Sequence, residues 1–242
     1  MSSEKKVALV TGANRGIGFE TARQLGQKSV TVVVAARKAS AAEEAAAKLR
    51  AEGIDARPLQ LDVTRESDRK AAAIFVTKEF GKLDILINNA GIGVSDNKTS
   101  EVSDEVLETT FATNVFAVIA LTRELLPLLR KSAAGRIVNL SSILGSLALQ
   151  ADPESPIAGS KSFAYNASKT ALNAFTIHLA AELKDTKIEV NSAHPGWVKT
   201  DMGGAEAPME IPDGAKTSVE LALIGPDGPS GRFIHLGEEL PW

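Results

Sequence analysis

Short apolar runs rich in β-branched residues alternate along this chain with stretches of helical periodicity. Strands that are apolar on both faces, each followed by a helix, are typical of a parallel sheet covered by helices on both sides. The sequence therefore predicts an α/β fold built on a doubly wound parallel sheet. The predicted strands are residues 7–10, 30–36, 56–61, 83–87, 136–140, 188–191 and 232–236, and the predicted helices are residues 18–27, 40–52, 65–80, 103–130 and 163–184.

Three irregular segments follow predicted strands or lie between strand and helix, at residues 91–102, 143–162 and 195–214. In doubly wound folds, ligands bind in the crevice outside the carboxyl ends of the strands. We therefore expect these segments to form the walls of a binding site.

Length and charge limit the classes of protein to consider. The 242 residues are enough for a single domain, predicted to span residues 1–242, to bury a full core without disulfides or metals. The chain has no cysteine, which excludes a thiolate metal site and a cysteine nucleophile and fits a reducing compartment. Its net charge of −3 provides no basic field for nucleic acid or an anionic membrane.

Membrane and export signals are not expected either. The uncharged stretches 109–122 and 137–151 are shorter than the ~18 residues of a membrane span. The polar start, Met1 to Lys6, has no apolar run like that of a signal peptide. We therefore expect a cytoplasmic protein with no nucleic acid and no membrane partner.

A glycine-rich segment, residues 11–18, joins the first predicted strand to the first predicted helix. Glycines let the backbone approach a phosphate, and a helix N-terminus attracts anions through its free N–H groups and its dipole. An ordinary glycine turn is the alternative, but the position directly after the first strand favours a Rossmann-like dinucleotide site. The candidate residues are Gly12, Asn14, Arg15, Gly16, Ile17 and Gly18.

The end of the second predicted strand indicates which dinucleotide is bound. Folds that bind NAD place an acid there on the ribose 2′-hydroxyl, whereas an arginine accommodates the 2′-phosphate of NADP. Here Arg37 ends the strand, and the first acid after it is Glu43. Arg15 offers a second guanidinium for the same phosphate. The alternative is that both are solvated surface arginines, but the missing acid favours NADP(H) as the cofactor.

Tyr165 and Lys169 lie four residues apart on a predicted helix and therefore on one face. Tyr165 is the only tyrosine of the chain. An ammonium group close to a phenol favours the phenolate and lowers the phenol pKa from its usual value near 10. The pair therefore predicts a tyrosine that acts as a general acid.

Together these motifs resemble the classical short-chain dehydrogenase/reductase family, and within it the carbonyl reductases. The resemblance runs from Thr11 to Thr200 through the motifs already described and those that follow the later strands. It implies further cofactor contacts from Asp62 and Val63 near the adenine, from Asn89, Ala90 and Gly91 along the cleft, from Tyr165 and Lys169 near the nicotinamide ribose, and from Pro195, Gly196, Val198 and Thr200 near the nicotinamide.

The resemblance also implies a catalytic set of Asn114, Ser142, Tyr165 and Lys169. Tyr165 would protonate the carbonyl oxygen of the substrate, and Ser142 would orient that carbonyl. Lys169 would bind the nicotinamide ribose and lower the pKa of the tyrosine. Asn114 would hold a water that leads protons to Lys169. The neighbouring Ser141 is the alternative candidate for the catalytic serine. The number of residues from Gly135, which opens the strand, matches Ser142 to the serine of the family, and Ser141 is then interpreted as a hydroxyl that caps the strand end. The gap of 23 residues from Ser142 to Tyr165 is longer than is usual in the family, so residues 143–164 form a long loop that leaves the substrate and the assembly open.

Other features have ordinary interpretations. His178, His194 and His235 lack the spacing of metal ligands, so no metal site is expected. Residues 111–129 read as a helix that is apolar nearly all round, which is buried either in the core or against another subunit. A homo-oligomer and a monomer therefore both remain open.

The preferred function is an NADPH-dependent carbonyl reductase that converts a small neutral ketone or aldehyde to an alcohol. Residues 197–214 have a formal charge of −3, which is expected to repel anionic thioesters, and residues 143–149 offer an apolar wall. The alternatives are a 3-ketoacyl thioester reductase and a non-catalytic dinucleotide sensor. A sugar-nucleotide epimerase is disfavoured by the glycine spacing and the chain length.

Overall fold

The computed structural model describes residues 5–94 and 98–242. The first four residues of the polar start and residues 95–97 of the predicted loop 91–102 lie outside the described residues. The strands are β1 (Val7–Val10), β2 (Thr31–Ala36), β3 (Ala56–Gln60), β4 (Ile85–Asn88), β5 (Gly135–Leu140), β6 (Ile188–Ala193), β7 (Phe233–His235) and β8 (Glu238–Glu239). The α-helices are α1 (Gly16–Gln27), α2 (Ala39–Ala51), α3 (Glu66–Phe80), α4 (Asp104–Phe111), α5 (Ala117–Leu129), α6 (Leu147–Ala151), α7 (Phe163–Glu182) and α8 (Ile211–Leu223).

All eight strands form one sheet in the order β3-β2-β1-β4-β5-β6-β7-β8. Strands β1 to β7 are parallel to their neighbours, and only β8 pairs in the antiparallel sense, with β7. The strand order reverses between β1 and β4, which makes the crevice at their carboxyl ends the expected ligand site. The predicted Rossmann-like, doubly wound α/β fold is confirmed.

The sheet has a buried core on each face, because successive strand side chains point to opposite sides. On one face Leu9 and Leu86 pack with Leu121 of α5. On the other face Val10 and Ile87 pack with residues of α1, α2 and α8. Both faces of β1 and β4 are fully buried, which explains why these strands are continuously apolar.

Helix α8 was not predicted, and residues 195–214 had been expected to be irregular throughout. Its buried face consists mainly of small or polar residues, such as Gly214, Thr217 and Ser218. A Cβ on Gly214 would lie 2.6 Å from Cγ2 of Val198, so the helix packs closely on the segment before it. The first turn of α8 contains Pro212 and Gly214, which mark turns and loops in a sequence, although Val219, Leu221 and Ala222 later in the helix pack into the core.

The predicted helix 103–130 contains a π-helical turn at Ala112–Phe116 between α4 and α5. The stretch Asp104–Leu129 is long and apolar enough to cross a membrane by length and composition. Its most apolar 18-residue window has a mean hydropathy of 1.4, but 56% of that window is buried inside the protein. Leu121, Leu125 and Leu129 belong to the core, which accounts for that apolar face. Phe116, 62% exposed, lies on the surface.

Candidate active site

Two adjoining pockets open at the carboxyl ends of the parallel strands. The larger, of about 940 Å³, collects most of the residues predicted to bind the cofactor: Gly12, Asn14, Arg15, Gly16, Ile17, Gly18, Arg37, Asp62, Val63, Asn89, Ala90, Gly91, Tyr165, Lys169, Pro195 and Thr200. The other two, Gly196 and Val198, line the smaller pocket, of about 530 Å³, together with Ser142 and Tyr165. Tyr165 therefore lies where the two pockets meet.

The glycine segment forms a tight turn into α1. Gly12 and Gly16 have φ values of 62° and 58°, in the left-handed region that favours glycine. A Cβ on Gly18 would lie 2.4 Å from Nδ2 of Asn89 and 2.7 Å from the carbonyl oxygen of Gly12. The Asn89 amide donates hydrogen bonds to the carbonyl oxygens of Thr11, at 2.7 Å, and Gly12, at 3.2 Å. The turn is thereby fixed against the end of β4, with the N-terminus of α1 facing the cleft.

The two arginines predicted to bind a 2′-phosphate both line the larger pocket, but they have different neighbours. The charge of Arg37 acts on Asp62. Burial raises the pKa of Asp62, but hydrogen bonds from Thr64 and the positive charges outweigh burial and lower that pKa overall. Arg15 instead forms an ion pair with Asp201 at the surface of the cleft.

Ser142 is a hydrogen-bonding neighbour of the Tyr165 hydroxyl, and its effect is to lower the pKa of Tyr165. The Ser142 hydroxyl also accepts a hydrogen bond from the backbone N–H of Leu144, at 3.2 Å. The neighbouring Ser141 donates its own hydroxyl to Oδ1 of Asn173 on α7, at 2.6 Å. The two serines therefore differ in role: Ser141 ties β5 to α7, whereas Ser142 contacts the tyrosine.

Lys169 lies below the Tyr165 ring, with Nζ 5.5 Å from the ring centroid. Nζ donates a hydrogen bond to the carbonyl oxygen of Leu140, at 2.8 Å. Burial lowers the pKa of Lys169 to about 8. Burial also raises the pKa of Tyr165, and the hydrogen bond with Ser142 only partly opposes this. The expected lowering of the tyrosine pKa by Lys169 is not found, because both groups are desolvated together.

Asn114 reaches this cluster from the π-helical turn between α4 and α5, and such turns are frequent at functional sites. Its Oδ1 accepts a hydrogen bond from the N–H of Ile92, and its Nδ2 donates to the Ile92 carbonyl and, at 3.0 Å, to the Ser168 hydroxyl. A Cβ on Gly91 would lie 3.3 Å from Oδ1 of Asn114 and 3.6 Å from Nζ of Lys169. The fold thus brings Asn114, Lys169, Tyr165 and Ser142 to one place.

The wall of the smaller pocket differs from the expected one. Of the apolar residues in 143–149, only Ile143 and Leu144 line the pocket. Helix α6 turns away because the N–H of Ala148 donates to the carbonyl oxygen of Trp242, at 3.0 Å, and Leu147 is exposed to solvent. Pro156 and Ile157, later in the same loop, complete the wall instead.

The negative charge of residues 197–214 is largely paired. Lys199, inside the segment, lies 2.5 Å from Glu210, Lys216 on α8 lies 2.7 Å from Asp213, and Arg15 pairs with Asp201. Two of these three cations, Arg15 and Lys216, lie outside the segment, so the charge of the segment alone does not include them. The expected repulsion of anionic substrates by this segment is therefore weaker than its own charge of −3 indicates.

His194 is a site residue that sequence reasoning missed. It directly follows β6, and its ring lines the smaller pocket with Ser142. Its position before Pro195, at the carboxyl end of a central strand, was the available signal. The spacing of the three histidines argues only against a metal site and says nothing about a hydrogen bond from a single histidine to a substrate.

The fold, the glycine turn and this cluster define a dinucleotide-dependent oxidoreductase site, and comparison with known proteins gives the family. The sequence model of the family "short chain dehydrogenase" matches residues 6–211, and the chain belongs to this family.

Within the family the chain is similar to carbonyl reductases. It is 36% identical to "Carbonyl reductase [NADPH] 1" of Mus musculus over 282 aligned positions that cover 100% of each chain. Its structure is similar to an NADPH-bound carbonyl reductase from chicken fatty liver, with 29% identity, a TM-score of 0.87 and coverage of 99% of this chain and 95% of the other. It is also similar to the carbonyl reductase Sniffer of D. melanogaster, with 30% identity, a TM-score of 0.86 and coverage of 99% and 100%.

Proposed function

We propose that this protein is an NADPH-dependent carbonyl reductase that converts a ketone or aldehyde to an alcohol. The observation that carries the proposal is the placement of Tyr165 at the junction of the two pockets, with Ser142 beside it in the wall of the smaller one. The family match and the names of the similar proteins support the same reaction and the same cofactor, NADP(H). We place the enzyme in the cytoplasm, in keeping with the absence of cysteine and the net charge of −3.

The residues of the larger pocket fit an NADP(H) molecule. A Cβ on Gly18 would collide with Asn89 and the Gly12 carbonyl oxygen, and the φ of 62° at Gly12 favours glycine, so both glycines are needed for the turn that brings the N-terminus of α1 to the cleft, where a phosphate can bind. Arg37 and Arg15 would hold the 2′-phosphate, Asp62 and Val63 would lie at the adenine, and Thr200 with the turn at Pro195 would hold the nicotinamide end. Asn89, Ala90 and Gly91 would line the cleft between them. The bound cofactor supplies the hydride.

Tyr165 supplies the proton. The carbonyl oxygen lies between the hydroxyls of Ser142 and Tyr165, so that Ser142 orients it and Tyr165 gives up its proton as negative charge develops on the oxygen. Because the pKa of Tyr165 is raised, the phenol carries its proton at neutral pH and is ready to act as an acid. A ketone, NADPH and one proton from solvent thus give the alcohol and NADP⁺.

Lys169 and Asn114 restore that proton. Lys169 is within 5.5 Å of the Tyr165 ring centroid, and a pKa of about 8 leaves it mostly charged at neutral pH. Both N–H groups of the Asn114 amide are used inside the protein, and its Oδ1 has one remaining lone pair for a water on the path to Lys169.

The substrate is a small, neutral carbonyl compound. Among the described residues that line the smaller pocket there is no Asp, Glu, Lys or Arg, and Ile143, Leu144 and Ile157 give it apolar walls. Such a pocket offers no partner to the phosphates of a coenzyme A thioester. The competing activity, reduction of a 3-ketoacyl thioester, is tested by comparing kcat/KM for a neutral alkyl ketone and for acetoacetyl coenzyme A at low and moderate salt. A strong preference for the thioester at both salt concentrations would contradict the assignment, since screening weakens repulsion but creates no attraction.

The reaction itself is tested with Tyr165→Phe. We expect the variant to bind NADPH but to lose about 10²- to 10⁴-fold in turnover, the usual contribution of a general acid. NADPH oxidation is followed with a panel of ketones and aldehydes, and NADPH binding is followed by fluorescence. Near-wild-type turnover in Tyr165→Phe would refute the role of Tyr165. NADPH binding by the wild type with no turnover of any carbonyl compound would favour the dinucleotide sensor.

A further inference from the structure

One polar side chain of the smaller pocket has no part in the reaction derived above. His194 lines this pocket together with Ser142, Ile143 and Tyr165. Its Nδ1 lies 3.3 Å from the backbone nitrogen of Ile143, which is bonded directly to the carbonyl carbon of Ser142. The imidazole is therefore immediately beside the residue that orients the reacting carbonyl.

The contacts of His194 fix its tautomer. Nδ1 faces two backbone N–H groups, of Ile143 at 3.3 Å and of Gly196 at 3.4 Å. A backbone N–H can only donate, so Nδ1 must present its lone pair. A neutral imidazole carries one proton, and that proton must then be on Nε2.

The surroundings keep the ring uncharged. The pKa of His194 is lowered to about 3. Burial is the main cause, and the adjacent His235, whose ring centroid is 4.7 Å away, adds to it. Protonation would also place an N–H on Nδ1 against two other N–H groups. At neutral pH the ring is thus a donor of one hydrogen bond, through Nε2, and carries no charge.

Within the part of the chain that the structure describes, the ring of His194 forms hydrogen bonds only through Nδ1, so the Nε2 donor has no partner there. Nε2 is nevertheless not fully buried, so a ligand can reach it. Two other donors of the pocket are used within the protein, because the Trp197 N–H donates to the Gly203 carbonyl and the Ser162 hydroxyl to the Val94 carbonyl. A donor in the wall of an otherwise neutral pocket is a recognition point for an acceptor on a ligand.

We propose that His194 is a specificity-determining residue, whose Nε2–H donates a hydrogen bond to a second oxygen of the substrate. The enzyme then prefers neutral carbonyl compounds that carry an ester, amide or further carbonyl oxygen close to the reacting carbonyl. This inference rests on the proposed function. Because the donor is uncharged, it selects an ester over a plain ketone without selecting a carboxylate.

The test uses His194→Asn. The side-chain oxygen of asparagine can occupy the position of Nδ1 and accept from Ile143 and Gly196, but asparagine places no group at the position of Nε2. The variant therefore removes the donor and keeps the backbone contacts. His235→Asn is the matched control, because it changes the neighbouring ring and can keep the contact that Nδ1 of His235 makes with the carbonyl oxygen of His194, at 2.9 Å.

Two substrate pairs of matched length are compared: ethyl acetoacetate with heptan-2-one, and ethyl 2-oxobutanoate with heptan-3-one. The readout is the ratio of kcat/KM for the oxo ester to that for the ketone. Differences in intrinsic reactivity are the same for every variant, so a change in the ratio reports the protein alone. A neutral hydrogen bond corresponds to about a three- to tenfold effect, and we expect the ratio to fall by this factor in His194→Asn for at least one pair and to stay unchanged in His235→Asn.

A disturbance of the pocket without loss of recognition would lower kcat/KM for the ester and the ketone by the same factor. An unchanged ratio for both pairs in His194→Asn would therefore overturn the inference, and so would an equal fall of the ratio in His235→Asn. These results are distinct from failure of the proposed function, which would appear as a wild-type enzyme that oxidises NADPH with none of the four compounds.

Discussion

We propose that the choice between NADPH and NADH depends on Arg37. It directly follows β2 and lines the larger pocket, and no acid lies beside it in the sequence to bind a ribose hydroxyl. We expect Arg37→Asp to lower the preference for NADPH by about 10- to 100-fold, the range for a hydrogen bond to a charged group. The measurement is kcat/KM with each cofactor. Lys38→Asp is the control, since it makes the same charge change one residue away from the pocket lining, and an equal effect there would show a general electrostatic cause.

Lys169 links activity to stability. The folded protein lowers its pKa from 10.5 to about 8, so between these values the unfolded chain binds more protons than the folded one. Stability then rises with pH across this window, and the cost of the buried charge is fully present below pH 8. We expect Lys169→Met to be inactive but more stable than the wild type at pH 7, by up to about 3 kcal/mol.

The advantage of Lys169→Met should shrink as the pH rises from about 8 to about 10.5. Denaturant unfolding across this range measures it. Lys184→Met, at an exposed position two residues after the end of α7, should show no such pH dependence. A constant difference between Lys169→Met and the wild type at every pH would contradict the role of burial.

At the scale of single residues, the sequence predicted which side chains lie in the same pocket more reliably than it predicted their pKa shifts and ion pairs. Most of the predicted cofactor residues line one pocket because their motifs each follow a strand, and strand ends meet at one edge. The sign of the Tyr165 pKa shift was wrong, because a four-residue spacing shows that Lys169 is near and does not show that both groups are buried. The pairing of Asp201 with Arg15, from a distant segment, was equally invisible.

Among the elements, strands were easier to predict than the helices and turns that complete the site. The apolar strands are buried on both faces, so their composition alone identifies them. Helix α8 begins with Pro212 and Gly214, which are typical of turns, so its start reads as the end of a loop although its later apolar residues pack into the core. The π-helical turn that carries Asn114 has no sequence signature in a helix that is apolar nearly all round.

The contact between the loop after β5 and α7 sets the distance between Ser142 and Tyr165. A Cβ on Gly145 would lie 2.7 Å from the carbonyl carbon and 2.8 Å from Cβ of Lys169. Backbone atoms cannot yield as a flexible side chain can, so Gly145→Ala must push the loop away from α7. We expect a loss of stability of about 1–3 kcal/mol and a fall in kcat, because Ser142 precedes this turn by three residues.

Gly159→Ala provides the matched control for this prediction, because a Cβ on Gly159, in the same long loop, would have no atom within 4 Å. Thermal unfolding and kcat for a simple ketone are measured for both variants. A Gly145→Ala enzyme with the stability and kcat of Gly159→Ala would show that the loop position is not set by this contact.

Across the whole molecule, cofactor binding joins segments that are far apart in the chain. The larger pocket is lined by residues from Gly12 to Ile211, most of which lie in the turns after six different strands. A ligand that binds all of these turns at once binds the folded state and has no comparable site in the unfolded chain. Binding must therefore appear as an increase in the stability of the entire sheet.

We expect NADPH to raise the Tm of the protein, and NADH to raise it less at the same concentration. A free ligand at 100 times its Kd stabilises the folded state by about 2.7 kcal/mol, which corresponds to a rise of roughly 5–10 °C for a domain of this size. The difference between the two nucleotides reports the 2′-phosphate alone, so it should disappear in Arg37→Asp and persist in Lys38→Asp. Thermal scans with and without each nucleotide measure these shifts. Equal shifts with NADPH and NADH in the wild type would contradict the assignment of the 2′-phosphate to Arg37, whereas a shift with neither would contradict the dinucleotide site itself.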